Sequence, residues 1–398
     1  MPIGDLTTLK WNIGGVDDTK AIPNYINIYE SIFNSYGPAA EIRLVDPKDA
    51  AQDLKGNEEV ELKFSIDNDG TVAFKFKSLT SKNLKDHSVD DGQGSLKNKQ
   101  YTIRCISEEA LNAQGNYVEK AWDDKTTNIT KEILEKYYKT DKSIKIEDQV
   151  KDKRVWRAQN EHPKDVLQKL NEQHVSSSNK GSAYVVFQEQ SEGTQTYKIT
   201  SFEQLFKGDS VGKWSQRVDL NSSNATEQDR KNSIMWFNAG ENFNAVTDHL
   251  EKAQEQSFNR DTHSPTSVKP KTNKFTVLGG ETRQYGTNSK TVPVETQVSM
   301  TNEKQSTTVA KARADRQQFL ARLSENSAMF EIPGTSKVKL GCIMELDIPK
   351  KTADSAAKER QFNGKVCVVE IRHKIRPPGQ VPRYTQVIRA VKAGFEGW

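Results

Sequence analysis

Short runs in which apolar and polar residues alternate occupy both ends of this 398-residue chain, and they constrain its fold more than any other feature. Such alternation is typical of a strand that buries one face. The first hundred residues contain the runs "YINIYESIF", "AEIRLVD", "EEVELKFSID", "GTVAFKFKSL" and "KQYTIRCIS". The turn sequence Asp67-Asn68-Asp69-Gly70 lies between two of these runs and indicates a hairpin. Five or more such strands predict a small antiparallel barrel or sandwich.

The pattern changes to helical spacing after about residue 115. Between Asn128 and Tyr138, apolar residues recur every three or four positions, which predicts a helix. A second helix is predicted to begin at Pro163, because proline is well tolerated at the first helical position. The runs "SAYVVFQEQ" and "TQTYKITSF" then predict a hairpin. Residues 115–208 are therefore predicted to form an α/β unit inserted after the first β-unit.

The last part of the chain, from 209 to 398, is predicted to be a second β-unit. The run "NSIMWFNAGENFNAV" indicates one strand. Residues 250–274 are polar and include Pro265 and Pro270, so they predict an exposed loop or linker. A long helix is predicted over 307–324. Three more strands are predicted in "VKLGCIMELDIP", "KVCVVEIRHKI" and "RYTQVIRAVKAGF".

Composition excludes several classes of protein. The 58 basic and 54 acidic residues give a net charge of only +4, which argues against a strong sequence-independent grip on nucleic acid. No stretch reaches the roughly eighteen apolar residues of a membrane helix, and the first residues lack the pattern of a signal peptide. The three cysteines, Cys105, Cys342 and Cys367, are too few for a disulfide framework. Cys342 and Cys367 are predicted to be a packed pair of free thiols.

Motifs for catalysis or metal binding are missing from the sequence. No histidine has zinc-site spacing, and there is no nucleophile elbow or phosphate-binding lysine loop. We therefore expect no cofactor, no metal and no enzymatic activity. The acidic residues are interpreted as solvated surface, although a carboxylate pair of the glycosidase type stays an alternative. His373 is interpreted as a structural residue near a strand end. Phe395 and Trp398 are large apolar residues near the end of the sequence, and both docking on a partner and packing on their own domain stay open.

Several segments together resemble the baseplate hub proteins of contractile-tailed bacteriophages. The resemblance begins with "INIYESIFNSYGPAAEIRLVD" and "GNEEVELKF", and continues through "YTIRCISEEALNAQGNYVEKAW", "ITKEILEKYY" and "NEHPKDVLQKL". It ends with a long polar helix, "IPGTSKVKLGCIMELDIP" and "GKVCVVEIRHKI". The order of these segments carries the resemblance, because no single motif is specific. Residues 251–274 have no counterpart in it.

The resemblance implies an α+β, mostly β fold in three parts. These are a tube-like antiparallel β-barrel domain over 1–114, an α/β domain over 115–208 and a second tube-like barrel over 209–398. In this family three subunits form a ring of six similar barrels, which joins the sixfold tail tube to the threefold central spike. His373 falls where such hubs often carry a histidine. The resemblance therefore implies a structural role for His373 and no other.

The expected role is therefore a structural one in the virion. The expected partners are two further copies of the chain, the tail tube protein, the central spike protein and other baseplate proteins, with transient passage of phage DNA and no membrane span. Assembly is expected in the host cytoplasm. Two alternatives remain: a peptidoglycan-degrading tail enzyme, and the hub part of a type VI secretion spike. Secretion spikes usually continue into a needle-like domain, whereas this sequence stops at Trp398.

Overall fold

The fold is seen in a computed structural model of the chain. It describes residues 6–47, 50–66, 69–87, 98–178, 182–191, 194–216, 226–239, 254–259, 264–268, 280–281, 293–300, 312, 316, 319–320, 323, 327–349, 363–376, 383–392 and 395–396. Strands dominate this described part, and most of them pair antiparallel, so the predicted mostly-β α+β class is confirmed.

The strands are spread over the whole chain. Those of the first part are β1 (Leu6–Ile13), β2 (Val16–Asp17), β3 (Ile22–Ser31), β4 (Ala39–Asp46), β5 (Glu59–Ile66), β6 (Gly70–His87) and β7 (Asn98–Ile106). Those of the middle part are β8 (Val118–Lys125), β9 (Ser143–Ile146), β10 (Lys153–Glu161), β11 (Tyr184–Ser191) and β12 (Thr194–Ser201). Those of the last part are β13 (Ser210–Ser215), β14 (Trp236–Ala239), β15 (Gln254–Asn259), β16 (Ser264–Val268), β17 (Gly280–Glu281), β18 (Pro293–Met300), β19 (Ser327–Pro333), β20 (Ile343–Asp347), β21 (Gly364–Ile375), β22 (Tyr384–Val391) and β23 (Phe395–Glu396).

The helices are short and lie mainly in the middle part. They are α1 (Glu108–Gln114), α2 (Thr126–Lys136), α3 (Pro163–Asn171), α4 (Phe202–Leu205) and α5 (Glu227–Lys231), with a 3-10 turn at Ala50–Asp53. α3 begins at Pro163 as predicted, and its buried residues include Val166, Leu167 and Leu170. The described positions between 312 and 323 are also helical, and Ala312, Phe319 and Leu323 are buried there.

Strands from the two ends of the chain belong to one 13-stranded sheet. Its order is β14-β19-β22-β21-β3-β4-β7-β6-β5-β1-β2, and β20 and β13 extend it from β21. The junction is the antiparallel pair β3–β21, in which Ser31 lies opposite Glu370 and Ile26 lies opposite Ile375. Two of the runs predicted as strands form β20 and β21, which pair antiparallel with Ile343 opposite Cys367.

The described residues form three hydrophobic cores. The first core consists mainly of side chains between residues 6 and 105, but it also contains Ile375 and Tyr384 from the last part of the chain. The middle core lies between residues 113 and 199. The last core contains Ile32 and side chains between residues 183 and 391. β21 and β22 each contribute to the first and the last core, so these strands hold the two ends of the chain together.

β11 is the strand shared by the middle and last cores. Its residues Tyr184 and Val186 belong to the middle core, whereas Val185 and Phe187 belong to the last core. A strand buried on both faces requires a continuous apolar run, and "YVVF" supplies one. The predicted hairpin β11–β12 is confirmed, with Tyr184 opposite Ser201.

One prediction was wrong. Residues 250–274 were predicted to be an exposed loop, but the structure forms β15 and β16 within them as an antiparallel pair, and β18 pairs with β15 in parallel. The segment is polar and its prolines suggested a breaker. Pro265 is accommodated because β16 is at the edge of this small sheet, where a missing backbone N–H is tolerated.

Candidate functional site

The two faces of the large sheet differ sharply around the β3–β21 junction. Residues that lie directly opposite each other in neighbouring strands share a face. The row Tyr384, Ile375, Ile26, Ile42 and Ile103 runs across β22, β21, β3, β4 and β7, and all five side chains are buried in or against the cores. The neighbouring residues in each strand point to the opposite face, which we call the charged face.

The charged face carries side chains of both signs from six strands. They are Tyr29, Glu41, Arg43, Arg104, Met329, Glu331, Glu370, Arg372, Lys374 and Arg389. Arg389 lies 3.6 Å from Glu370, and Arg372 lies over the ring of Tyr29 at 5.3 Å. Tyr29 and Met329 are 41% and 42% exposed there, which is high for large apolar residues in the middle of a sheet. The face therefore combines accessible aromatic and apolar groups with five cations and three carboxylates.

Glu331 is the most highly connected group of the charged face. Its carboxylate accepts hydrogen bonds from Thr385 Oγ1 at 2.5 Å, from Lys374 Nζ at 3.1 Å and from Trp236 Nε1. Arg376 lies 3.5 Å away. Burial alone would raise the pKa of Glu331, but these hydrogen bonds outweigh it and hold the pKa below its ordinary value. Glu331 thus remains a carboxylate and fixes β14, β21 and β22 to β19.

On the opposite face, His373 forms a buried polar network at the junction of the two ends. Its Nε2 lies 2.7 Å from Glu30 Oε2, and its Nδ1 lies 2.7 Å from the hydroxyl of Tyr384. All three residues are at most 6% exposed. The Phe74 ring packs edge-on against the imidazole at 5.5 Å between centroids. His373 is two residues from the end of β21, and this network uses both of its ring nitrogens within the fold.

The other residues singled out in the sequence are only partly described. Phe395 is in β23, which pairs with Gly280–Glu281 of β17, and nothing further is described of its side chain. Trp398 lies outside the described residues. Cys342 and Cys367 are free thiols on and beside neighbouring strands, as predicted, and burial raises the pKa of Cys342 to about 12. Such thiols are unreactive packing groups.

The described part of the chain shows neither a metal-binding cluster nor a membrane-spanning helix. Within this part, no cluster of histidine, cysteine, aspartate and glutamate side chains has the geometry to hold a metal ion. No helix in the same part of the chain is long and apolar enough to cross a membrane. The prominent features of this part are therefore the sheet that joins the two chain ends, its charged face and the clefts between the cores.

This combination defines a class of fold: a β-rich chain whose two ends share one sheet, with an α/β part between them. The same fold is found in solved tail proteins. The tail protein from Neisseria meningitidis MC58 superposes with a TM-score of 0.59 at 9% identity, over 96% of both chains. The 43 kDa tail protein of prophage MuSo2 from Shewanella oneidensis superposes with a TM-score of 0.57 at 10% identity, over 97% of both chains.

A third solved structure links the fold to secretion. It is an E. coli protein described as a component of the type VI secretion system with structural similarity to the bacteriophage T4 tail proteins gp27 and gp5. It superposes with a TM-score of 0.50 at 10% identity and covers 98% of this chain and 79% of its own. No protein-family model and no curated protein match the sequence. The predicted resemblance to tail proteins is thus confirmed by the fold.

Sequence reasoning missed most of this site. His373 was singled out, but its partners Glu30 and Tyr384 were not, because they are separated from it by 343 and 11 residues and the contact requires the β3–β21 pairing. The charged face was also missed. A signal for it was present in "EIRHKIR", where charged residues alternate with apolar ones along the strand.

Proposed function

We propose that this protein is a structural baseplate hub of a contractile phage tail. It acts as a homotrimer that adapts the sixfold tail tube to the threefold central spike and forms part of the DNA conduit. The observation that carries the proposal is the single sheet shared by both ends of the chain. One copy then presents two adjacent β-units side by side, so that three copies would present six.

The cores support the division into domains that this role requires. The first core lies mainly within the proposed tube-like barrel over 1–114, and the middle core within the proposed α/β domain over 115–208. The last core lies mainly within the proposed second barrel over 209–398, and Ile32 and side chains between 183 and 206 also pack into it. Strands that contribute to both outer cores would hold the two barrels at a fixed angle. A ring needs that rigidity, because closed symmetry requires every subunit to meet its neighbours in the same way.

The charged face is the surface that we assign to the bore. The lining of a DNA conduit must be polar and hydrated. It must also not bind the phosphate backbone strongly, because concentrated lysine and arginine retain DNA through counterion release. Here the arginines and lysines alternate with Glu41, Glu331 and Glu370, and several are paired with them. Such a surface favours passage of DNA over retention.

The proposed partners and location of the protein follow from the proposed trimeric ring. The tail tube protein and the central spike protein would contact opposite rims of the ring, and other baseplate proteins its outer side. The protein would act in the virion tail and be assembled in the host cytoplasm. The role is not enzymatic.

A second candidate is the hub part of a type VI secretion spike. It is favoured by the structural likeness to the E. coli secretion component, which extends over 98% of this chain. Both candidates are trimeric rings. They differ in what passes through the ring and in which spike it is joined to. Co-purification with a phage tail tube or with a secretion spike would distinguish them.

The first test is the mass of the purified protein in solution by light scattering. The chain has a mass of 44.9 kDa, and a species of three times that mass is expected. Averaged electron-microscopy images should show a ring with six similar lobes. A monomer at high concentration, both alone and with spike protein, would contradict the proposal. Clearing of cell walls by the purified chain would instead favour the peptidoglycan-degrading alternative.

A second test locates the bore. Tyr29→Cys and Met329→Cys place thiols on the charged face, and Val155→Cys places one on β10, where the side chain is 77% exposed. In the trimer, all three should react with a small maleimide. A maleimide that carries a polymer wider than the bore should label only Val155→Cys. Equal labelling of all three variants by the wide reagent would show that the charged face is not enclosed.

A further inference from the structure

A cleft of about 260 Å³ lies where the middle and last cores meet. Its walls come from the turn after β3, from α3, from the start of β11 and from the helical residue Arg316. The lining residues are Ile32, Phe33, Ser35, Lys164, Leu167, Gln168, Asn171, Tyr184, Val185, Val186 and Arg316. Among the described lining residues, two are cations and none is acidic.

Arg316 is a partly buried guanidinium that has spare hydrogen-bonding capacity. Its Nη1 donates to the backbone carbonyl of Tyr184 at 2.6 Å, which uses one of its five N–H groups. Burial lowers the pKa of Arg316, and Glu172 and Glu203 oppose this from a distance. Among the described residues neither of them, nor any other carboxylate, forms an ion pair with Arg316. A buried cation of this kind is stabilised when an anion arrives.

β11 offers backbone groups at the same place. In the three-stranded sheet β11-β12-β9, β11 is an edge strand within the described part of the chain. The carbonyl of Tyr184 points away from β12, since it accepts from Arg316. Residues two apart in a strand present their backbone groups to the same side, so the N–H and C=O of Val186 also face the cleft. An extended segment can pair with such an edge.

The cleft also contains a polar atom without a partner and an exposed apolar rim. The amide oxygen of Asn171 is buried and accepts no hydrogen bond from the described residues, which leaves an acceptor for a peptide N–H. Phe33 is 51% exposed at the rim, although its ring is only 5.9 Å from that of Phe202 in the core below. Phe33 and Leu167 together offer an apolar contact next to the two cations.

We propose that this cleft binds a short extended segment of a partner protein, in which an acidic residue is flanked by apolar ones. The carboxylate is held by Arg316, with Lys164 at the rim, and the backbone pairs with β11 at Val186. An apolar side chain of the segment packs on Phe33. The cleft volume is below the roughly 300–1,000 Å³ of pockets that enclose a drug-sized ligand, so it accommodates only a few residues. This assignment is independent of which tail or secretion assembly contains the protein.

The test uses defined probes and the full chain. Binding of acetyl-Val-Glu-Val-amide, acetyl-Val-Gln-Val-amide and pentanoate is measured by isothermal titration calorimetry. The glutamate peptide is expected to bind at least about tenfold more tightly than the glutamine peptide, with an affinity that falls as salt is added. Pentanoate offers the same carboxylate without a backbone and should bind at least about tenfold more weakly than the glutamate peptide.

The variants assign the binding to the cleft. Arg316→Gln should abolish the preference for the glutamate peptide, and Arg316→Lys should retain part of it. Phe33→Ser should weaken both peptides about equally. Arg157→Gln removes an exposed arginine of β10, away from the cleft, and should change nothing. Equal binding of the two peptides, pentanoate binding as tight as peptide binding, an effect of Arg157→Gln equal to that of Arg316→Gln, or no binding at millimolar concentration would each overturn the proposal.

Discussion

The hydroxyl of Tyr384 belongs to the buried network at the junction of the chain ends. Burial raises the pKa of Tyr384 well above its ordinary value, so the phenol stays protonated. Its hydroxyl lies 2.7 Å from Nδ1 of His373. The other ring nitrogen, Nε2, lies 2.7 Å from the carboxyl oxygen of Glu30. One histidine thereby connects a carboxylate of β3 to a phenol of β22.

Removing members of this network should have unequal effects. Tyr384→Phe deletes one hydrogen bond, and we expect the free energy of unfolding to fall by about 1–2 kcal/mol. His373→Leu leaves the carboxylate of Glu30 buried without its donor, and we expect a loss of about 3 kcal/mol. Urea unfolding, monitored by circular dichroism, measures the free energy of unfolding of both variants. His162→Gln, at a half-buried position away from the network, is the control. A His373→Leu variant as stable as the wild type would show that the network does not stabilise the junction.

His174 in the middle core should make stability fall in acid. It is fully buried, and burial, with smaller contributions from Arg154 and Arg316, lowers its pKa to about 3. In the unfolded chain its pKa is about 6.5. Between these values the unfolded state binds the extra proton, so stability is complete above pH 6.5 and is lost as the pH falls.

The matching experiment compares the wild type with His174→Gln at two pH values. The stability advantage of the wild type should shrink by about 2–3 kcal/mol between pH 7.5 and pH 4.5, because the variant lacks this titration. Comparing the two proteins cancels the titration of all other groups. An unchanged difference in the free energy of unfolding would mean that His174 becomes protonated without cost in the folded state.

At the scale of elements, the sequence predicted the local structure well where alternation was strong. β4 and β5 were located because every second residue is apolar, and the buried side chains fall on those positions. α3 was located because Pro163 marks its start. β15 and β16 were missed because polar strands lack that alternation. Their formation depends on pairing with each other and with β18, which local patterns do not record.

One contact between elements of the middle part is open to a direct test. Glu132 on α2 accepts hydrogen bonds from Trp122 Nε1 of β8 at 2.9 Å and from Lys120. Burial alone would raise the pKa of Glu132, but the hydrogen bonds from Lys120, Lys136 and Trp122 outweigh it and lower the pKa to about 2. Because the folded-state pKa is depressed, the stabilisation is present at neutral pH and is lost as the pH falls towards 2.

The variant Glu132→Gln keeps an acceptor for Trp122 and removes the charge. We expect a loss of about 1 kcal/mol at pH 7, a modest value because the carboxylate is partly exposed to solvent. The difference from the wild type should disappear near pH 2. Urea unfolding followed by the fluorescence of the tryptophans, which include Trp122, measures it. Glu135→Gln is the control, since Glu135 pairs with Lys131 on the exposed surface of the same helix. Equal effects of the two substitutions would contradict a special role for Glu132.

At the scale of the whole molecule, the sequence predicted two β-units but not the way in which they are joined. The pairing of β3 with β21 connects residues that are more than 330 positions apart, and no local pattern specifies it. The same pairing creates the site, since it brings His373 to Glu30 and continues the charged face from one unit to the other. The position of His373 was therefore predictable from its strand, whereas its partners were not.

The shared sheet predicts that the first β-unit, residues 1–114, does not fold without the last part of the chain. A fragment of residues 1–114 lacks Ile375 and Tyr384, which fill the first core, and it exposes the whole edge of β3. An unpaired central strand and a truncated core are both strongly destabilising and favour edge-to-edge association. We expect this fragment to aggregate or to remain unfolded by circular dichroism, although it contains β1 to β7 complete. Adding residues 363–392 as a separate peptide should restore solubility, because it supplies β21 and β22. A soluble, cooperatively folding fragment without that peptide would show that the first unit is an independent barrel and that the junction serves only to dock it.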